Sequence, residues 1–154
     1  MIIITGHFKL PFPMQQPEYR ADPCSCGARE TLWGVDCARR NGTGPDEPTT
    51  SIILISLTEL GLTGTLPESF GQFKQVTNLR LSDNKLFGQL PPSMVQLTKL
   101  SYLTLDGNKF TGIFPPLNFE QMIACEASEG NNFTCPLPPF AKLDCLLQCH
   151  KPSC

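Results

Sequence analysis

Between Ile52 and Phe114 one phrase of apolar residues, glycine and proline recurs every 24 residues. The first copy reads Ile52-x-x-Ile55-x-Leu57-x-x-Leu60-x-Leu62-x-Gly64-x-Leu66-Pro67. The second reads Val76-x-x-Leu79-x-Leu81-x-x-Asn84-x-Leu86-x-Gly88-x-Leu90-Pro91, and the third Leu100-x-x-Leu103-x-Leu105-x-x-Asn108-x-Phe110-x-Gly112-x-Phe114-Pro115. Repetition at a fixed period of this length marks a solenoid, in which each copy is one coil that buries its apolar side only against its neighbours. A long amphipathic helix is excluded, because each copy would place in it a Gly and a Pro, unfavourable by about 1 and about 3 kcal/mol.

The phrase also dictates its local structure. Leu79 and Leu81, like Leu103 and Leu105, alternate with the polar Arg80 and Thr104, so each copy opens with a short strand buried on one face. Asn84 and Asn108 follow where the chain turns away. An amide side chain carries both a donor and an acceptor, so stacked asparagines can satisfy turning backbone in a ladder. Gly88 and Gly112 relieve crowding in the turn, and the Leu-Pro or Phe-Pro that follows sends the chain along the back without a helix to break. Met94 and Leu97 close the second coil.

In one-letter form the phrase is LxxLxLxxNxLxGxLP, which resembles the plant-type leucine-rich repeat with its GxLP signature on the convex side. Two copies match nearly in full. The first has Leu60 in place of Asn, which puts its rung of the ladder in question, and a degenerate fourth runs through Cys125, Ala127, Asn131, Phe133, Leu137 and Pro138. The resemblance implies an α/β-type solenoid: a short right-handed superhelix with a parallel concave β-sheet, an irregular convex side and disulfide-stapled caps. It extends to polygalacturonase inhibitors, to the ectodomains of plant receptor kinases and to repeat-bearing surface proteins of protists. Asn84, Asn108 and Asn131 are the ladder residues it implies.

A chain of 154 residues is one domain with room for a continuous core. Its net charge of -2 gives no electrostatic case for nucleic acid or an anionic membrane as partner. Eight cysteines lie outside the complete copies, at Cys24, Cys26, Cys37, Cys125, Cys135, Cys145, Cys149 and Cys154. Their even number and terminal clustering read as four bridges stapling caps in an oxidising compartment, with 105 pairings open. The expected organisation is an irregular segment over 1–21, a cysteine-containing cap and loop over 22–51, about four repeats over 52–133, and a cysteine-rich C-terminal cap over 134–154.

Within the first cap, Trp33-Gly34-Val35-Asp36-Cys37 is similar to the W-x-G-V-x-C that closes the N-terminal cap of plant-type extracellular repeats. That resemblance implies a bond from Cys37 to Cys24 or Cys26 and leaves one thiol for another partner. Trp33, the only Trp, reads as a lid on the open end of the core. The first twenty residues have no basic n-region, and Pro11, Pro13 and Pro17 interrupt them, so no signal peptide is visible; the expectation is a start further upstream or an excised segment. No apolar run approaches the ~20 residues that span a bilayer.

Asn41-Gly42-Thr43 and Asn132-Phe133-Thr134 are N-glycosylation acceptors, which suits a secreted or surface chain. Cys145, Cys149, His150 and Cys154 have spacings a tetrahedral zinc ion could use. The spacing differs from paired knuckles, and thiols in an oxidising compartment are more often oxidised than metallated, so disulfides are expected and no metal or cofactor.

No nucleophile motif, phosphate loop or metal-binding helix is present, and His7 and His150 both lie outside the repeats, so no enzyme is indicated. The outward positions of the strands are Leu54, Ser56, Thr58 and Glu59, then Asn78, Arg80, Ser82 and Asp83, then Tyr102, Thr104, Asp106 and Gly107. Asp83 and Asp106 fall one position out of step, which argues against a paired-carboxylate site. A face that mixes Arg, Tyr and acids without a uniform sign suits protein or peptide recognition. The expectation is a non-catalytic extracellular recognition module, with Asn78, Arg80, Asp83, Tyr102, Thr104 and Asp106 on its binding face and Arg80 and Tyr102 as anchors. The alternatives are a structural surface or cell-wall protein and a fragment of a receptor-kinase ectodomain; a homo- or hetero-dimer stays open.

Overall fold

The computed structural model describes residues 33–39 and 50–134, with the backbone alone for 33–39 and 50. The 1–21 segment, most of the 22–51 cap, Asn41, the zinc-spaced group and all cysteines except Cys37 and Cys125 therefore lie outside the described residues.

The strands are β1 (Trp33–Arg39), β2 (Thr50–Leu57), β3 (Thr63–Gly64), β4 (Asn78–Arg80), β5 (Lys85–Gln89), β6 (Tyr102–Thr104), β7 (Lys109–Ile113), β8 (Ala124–Glu126) and β9 (Asn132–Thr134). They form two sheets, ordered β1-β2-β4-β6-β8 and β3-β5-β7-β9. In the first sheet each repeat contributes one strand, and the copies pair in parallel with Leu54, Asn78, Tyr102 and Ala124 in one row and Ser56, Arg80, Thr104 and Glu126 in another. This is the concave sheet that the alternation predicts. Its first member differs: β1 runs antiparallel to β2, from Trp33 opposite Leu57 to Arg39 opposite Thr50. Hydrogen bonding to β1 along its length makes β2 eight residues long, against three for β4. The cap thus covers the sheet edge with backbone, and Trp33 enters opposite the last strand residue of the first repeat.

The second sheet lies just past the Asn turn, so the coil's back is more regular than the phrase alone conveys. β3, β5 and β7 each run into a Gly-x-Leu-Pro or Gly-x-Phe-Pro, where Pro has no N–H to donate onward. In the first two coils a one-turn 3-10 helix follows, Glu68–Gln72 and Pro92–Gln96, closed by the amides of Phe70 and Met94 donating to the carbonyls of Pro67 and Pro91, both at 3.0 Å. The third coil has only Phe119–Gln121 there. Coils also dock through these turns: Ser93 Oγ donates to the Glu68 carbonyl at 2.6 Å, and a Cβ on Gly71 would collide with Ser93.

One apolar column runs through all coils. Ile55, Leu79, Leu103 and Cys125 form one rung of it, and Leu57, Leu81, Leu105 and Ala127 the next. Met94 and Leu97 close the second coil from behind. Each fully buried Leu contributes about 2 kcal/mol of transfer free energy. Toward the C-terminal end the column turns aromatic, with Phe114 edge-on to Phe133 at 5.2 Å and beside Phe119 at 6.0 Å. Cys125, buried in a Leu position, is disulfide-bonded, to a partner outside the residues whose side chains are described.

Candidate concave recognition face

The asparagines after the strands fix where the face begins. Asn84 Oδ1 accepts from the amides of Leu60 and Leu62 at 3.1 and 2.9 Å, and its Nδ2 donates to the carbonyl of Leu57 at 2.6 Å and of Leu81 and Ser82 at 2.9 Å. Asn108 repeats this one coil on: Oδ1 accepts from Leu86 N, and Nδ2 donates to the Leu81, Leu105 and Asp106 carbonyls. Asn131 accepts from Phe110 N and donates to the Leu105 and Ala127 carbonyls. Every rung reaches back to the preceding coil. Among the described residues the neighbour behind Leu60 is the antiparallel β1 rather than another coil, which is a physical reason for the apolar side chain there.

One residue before each rung the backbone is left-handed: Glu59 at φ 57°, Asp83 at 55°, Gly107 at 65° and Gly130 at 76°. The amide of this residue donates to the carbonyl before the next coil's equivalent, Glu59 N to Ser82 O, Asp83 N to Asp106 O and Gly107 N to Glu129 O. Glycine is required at the third of these positions. A Cβ on Gly107 would strike the Asp83 carboxylate and come within 3.0 Å of the Asp83 Cα and N.

The outward side chains then follow from register. Arg80 is exposed between Ser56 and Thr104, and Tyr102 is half-buried between Asn78 and Ala124. Among the described residues no hydrogen bond or ion pair occupies the Arg80 guanidinium or the Tyr102 hydroxyl. Asn78 is held locally, its Oδ1 accepting from Thr77 Oγ1 at 2.8 Å. Asp106 does not meet Asp83: its Oδ1 accepts from Ser82 Oγ at 2.9 Å, in step with the offset in the repeat. The six residues singled out in the sequence thus share one surface, in two strands and the turns that follow them, while the turn acids stand to one side of the Arg80 and Tyr102 rows. No group of three or more His, Cys, Asp or Glu among the described residues is arranged to hold a metal ion.

The degenerate fourth copy contributes to this face as well, through outward residues that its sequence does not single out. Ala124 and Glu126 continue the two rows, and Glu129 takes the place of Asp106 in the turn. The signal was hidden because this coil is irregular: its strand follows the third by 22 residues, Leu103 to Cys125, but its Asn follows by 23, Asn108 to Asn131. The residue inserted between them lies between Ala127 and Glu129, so Ser128 is extra and the ladder still closes.

A stacked coil with one parallel strand per copy, an Asn ladder and a Gly-Leu-Pro back defines a solenoid with an extended concave sheet. The Leucine Rich Repeat family model matches residues 75–97 and 99–119. Those two stretches are leucine-rich repeats by that match, and the fold around them is similar to that of a plant receptor-kinase LRR ectodomain. The chain is similar to the LRR ectodomain of the receptor kinase SOBIR1 from Arabidopsis thaliana at 25% identity and a TM-score of 0.59, covering 71% of this chain and 58% of that one. A chain of the BIR3–SERK2 complex from Arabidopsis thaliana matches at 26% identity and 0.57, covering 83% and 66%. PEPR1–AtPEP1 matches in fold at 21% identity and 0.63, covering 86% of this chain and 17% of that one. This chain therefore spans less than two thirds of the length of each. No curated protein matches it. No helix among the described residues is long and apolar enough to cross a membrane.

Proposed function

We propose that the chain is a non-catalytic extracellular recognition module that binds a protein or peptide through Asn78, Arg80, Asp83, Tyr102, Thr104 and Asp106. The observation that carries this is the state of Arg80 and Tyr102. Both stand on the central strands of the concave sheet, and neither polar tip is taken up by a described neighbour. Arg and aromatic side chains dominate binding hot spots, and a guanidinium without an internal partner loses no internal pairing when it meets a ligand. The similarity to the LRR ectodomain of a receptor kinase and to a chain of the BIR3–SERK2 complex supports the reading.

Size constrains the mode of binding. Four strands about 4.8 Å apart, each with about four residues at about 3.3 Å, give roughly 200 Å² in projection. A standard interface takes about 800 Å² per partner. The concave face therefore supplies the anchor, and the N-terminal cap near Arg39 and Arg40, or a second protein molecule, supplies the rest. The test is a pull-down with the secreted chain, followed by Tyr102→Ala and Arg80→Ala against the convex controls Lys74→Ala and Gln96→Ala. Weakened binding in the controls with normal binding in the anchors would move the site to the back of the coil. A second reading, that this module is the recognition segment of a longer receptor-kinase ectodomain, is favoured by the partial coverage of SOBIR1, and a transcript encoding an apolar span after Cys154 would establish it.

A further inference from the structure

Asn132-Phe133-Thr134 is an acceptor tripeptide for N-glycosylation, and it coincides with strand β9. Asn132 is exposed, Phe133 is 1% exposed and packed edge-on against Phe114, and Thr134 is half-buried. Side chains alternate across a strand, so the acceptor amide and the hydroxyl share the outer face while the residue between them anchors the core. The preceding asparagine is the opposite case. Asn131 is committed inward by three backbone hydrogen bonds, so of two consecutive asparagines one serves the fold and one is presented to solvent.

We propose that Asn132 carries an N-linked glycan and that this glycan covers the outer face of the second sheet around Ile113. The register places Asn132 opposite Thr111 and Thr134 opposite Ile113, which is 65% exposed, an apolar side chain otherwise in water. Among the described residues β9 is also the terminal strand of its sheet. A bulky, solubilising group there shields the isoleucine. Because the glycan stands on the second sheet, the concave rows with Arg80 and Tyr102 on the first sheet stay open. This inference rests on the extracellular placement proposed above but not on partner binding.

The full chain, routed through a secretory host with a cleavable leader, tests it by intact mass before and after peptide N-glycosidase and by mapping of the peptide containing Asn132. The expected result is an occupied Asn132, one glycan lost in Asn132→Gln and in Thr134→Ala, and the glycan kept in Thr134→Ser. An unmodified Asn132 in the secreted wild-type chain overturns the site. On a hydrophobic-interaction column Asn132→Gln should elute later than wild type, and Asn132→Gln combined with Ile113→Thr should return toward it. Unchanged retention of Asn132→Gln overturns the shielding. Partner binding by Asn132→Gln should equal wild type, whereas Arg80→Ala should lose binding with its glycan intact, so the two proposals fail separately.

Discussion

The inner and outer faces of the same three-residue strands obey different rules. Inward, the second and third coils hold the same residues at matching places, Leu79 with Leu103 and Leu81 with Leu105, followed by Asn84 and Asn108. Outward, Asn78 faces the same way as Tyr102, and Arg80 the same way as Thr104. The inner positions are narrowly constrained to apolar side chains followed by an amide, since a stacked coil leaves a limited volume and a set of turning amides and carbonyls to satisfy. Folding imposes no such constraint on the outer positions, so what stands there is free to describe a partner. If that division is right, substitutions should separate into those that change stability and those that change binding.

The largest effect is expected at the ladder. Asn108 is 2% exposed and holds four backbone groups of two coils. Asn108→Ala leaves several of them unsatisfied and should destabilise by about 3 kcal/mol, on a scale where each orphaned buried group costs ~1–3. The exposed Asn118, outside the phrase, should tolerate Ala within about 0.5 kcal/mol. Denaturant midpoints of the two variants check this; equal shifts would mean the ladder does not carry the coil.

Next is the left-handed turn. Gly107→Ala places a Cβ against the Asp83 carboxylate and backbone at φ 65°, and should lose about 2 kcal/mol, the usual range for a strained backbone position being ~1–3. Glu59→Gly, which removes a side chain from the same conformation at the start of the array, should leave the midpoint unchanged or raise it slightly, because relief of strain offsets the added freedom of the unfolded chain. A large loss at Glu59 would show that its carboxylate has a structural partner.

On the outer face the balance should invert. Tyr102→Ala and Arg80→Ala should each weaken affinity tenfold or more, about 1.4 kcal/mol. The stability of Arg80→Ala, at an exposed position, should change by less than about 0.5 kcal/mol, and that of Tyr102→Ala, at a half-buried one, by about 1 kcal/mol, less than its effect on binding. Titration calorimetry beside thermal melts separates the two readouts. A variant that loses binding only in proportion to stability would erase the distinction between the faces.

How much was legible follows the same line. Leu79, Leu81, Asn84 and Gly88 announce strand, core, ladder and turn, because each has a chemical reason tied to one place in the coil. The second sheet was not legible: Lys85–Gln89 contains a glycine and a lysine and lacks a strand's usual alternation signal, and it pairs because the coils on either side hold it in register. The left-handed residue was hidden in Glu59 and Asp83, whose side chains do not advertise positive φ as Gly107 and Gly130 do. The fourth copy was traceable through Cys125, Ala127 and Asn131, but its outward residues Ala124, Glu126 and Glu129 were not, because its strand follows by 22 residues and its Asn, after the inserted Ser128, by 23, out of the 24-residue step. Arg80 and Tyr102 were visible as outward positions of the strands, but their partner's chemistry is not encoded in the repeat.

The smallest effect tests the ladder's direction. In the second to fourth coils the asparagine reaches back: Asn84 to Leu57, Leu60 and Leu62, Asn108 to Leu81 and Leu86, Asn131 to Leu105 and Phe110. Among the described residues the first coil has behind it only β1, which runs antiparallel and already pairs with β2 from Thr50 to Leu57. An amide at position 60 would therefore lack the previous coil's carbonyl and turning amides, and it would give up the packing of the half-buried Leu60 against the core. Restoring the repeat's asparagine by Leu60→Asn should lower stability by about 1 kcal/mol, roughly the transfer free energy of part of a leucine. If instead the ladder acted within each coil, through donations like those of Asn84 to Leu81 and Ser82, the same substitution would complete a rung and raise the melting midpoint. The sign of one melting shift thus decides whether the asparagine joins coils or closes its own.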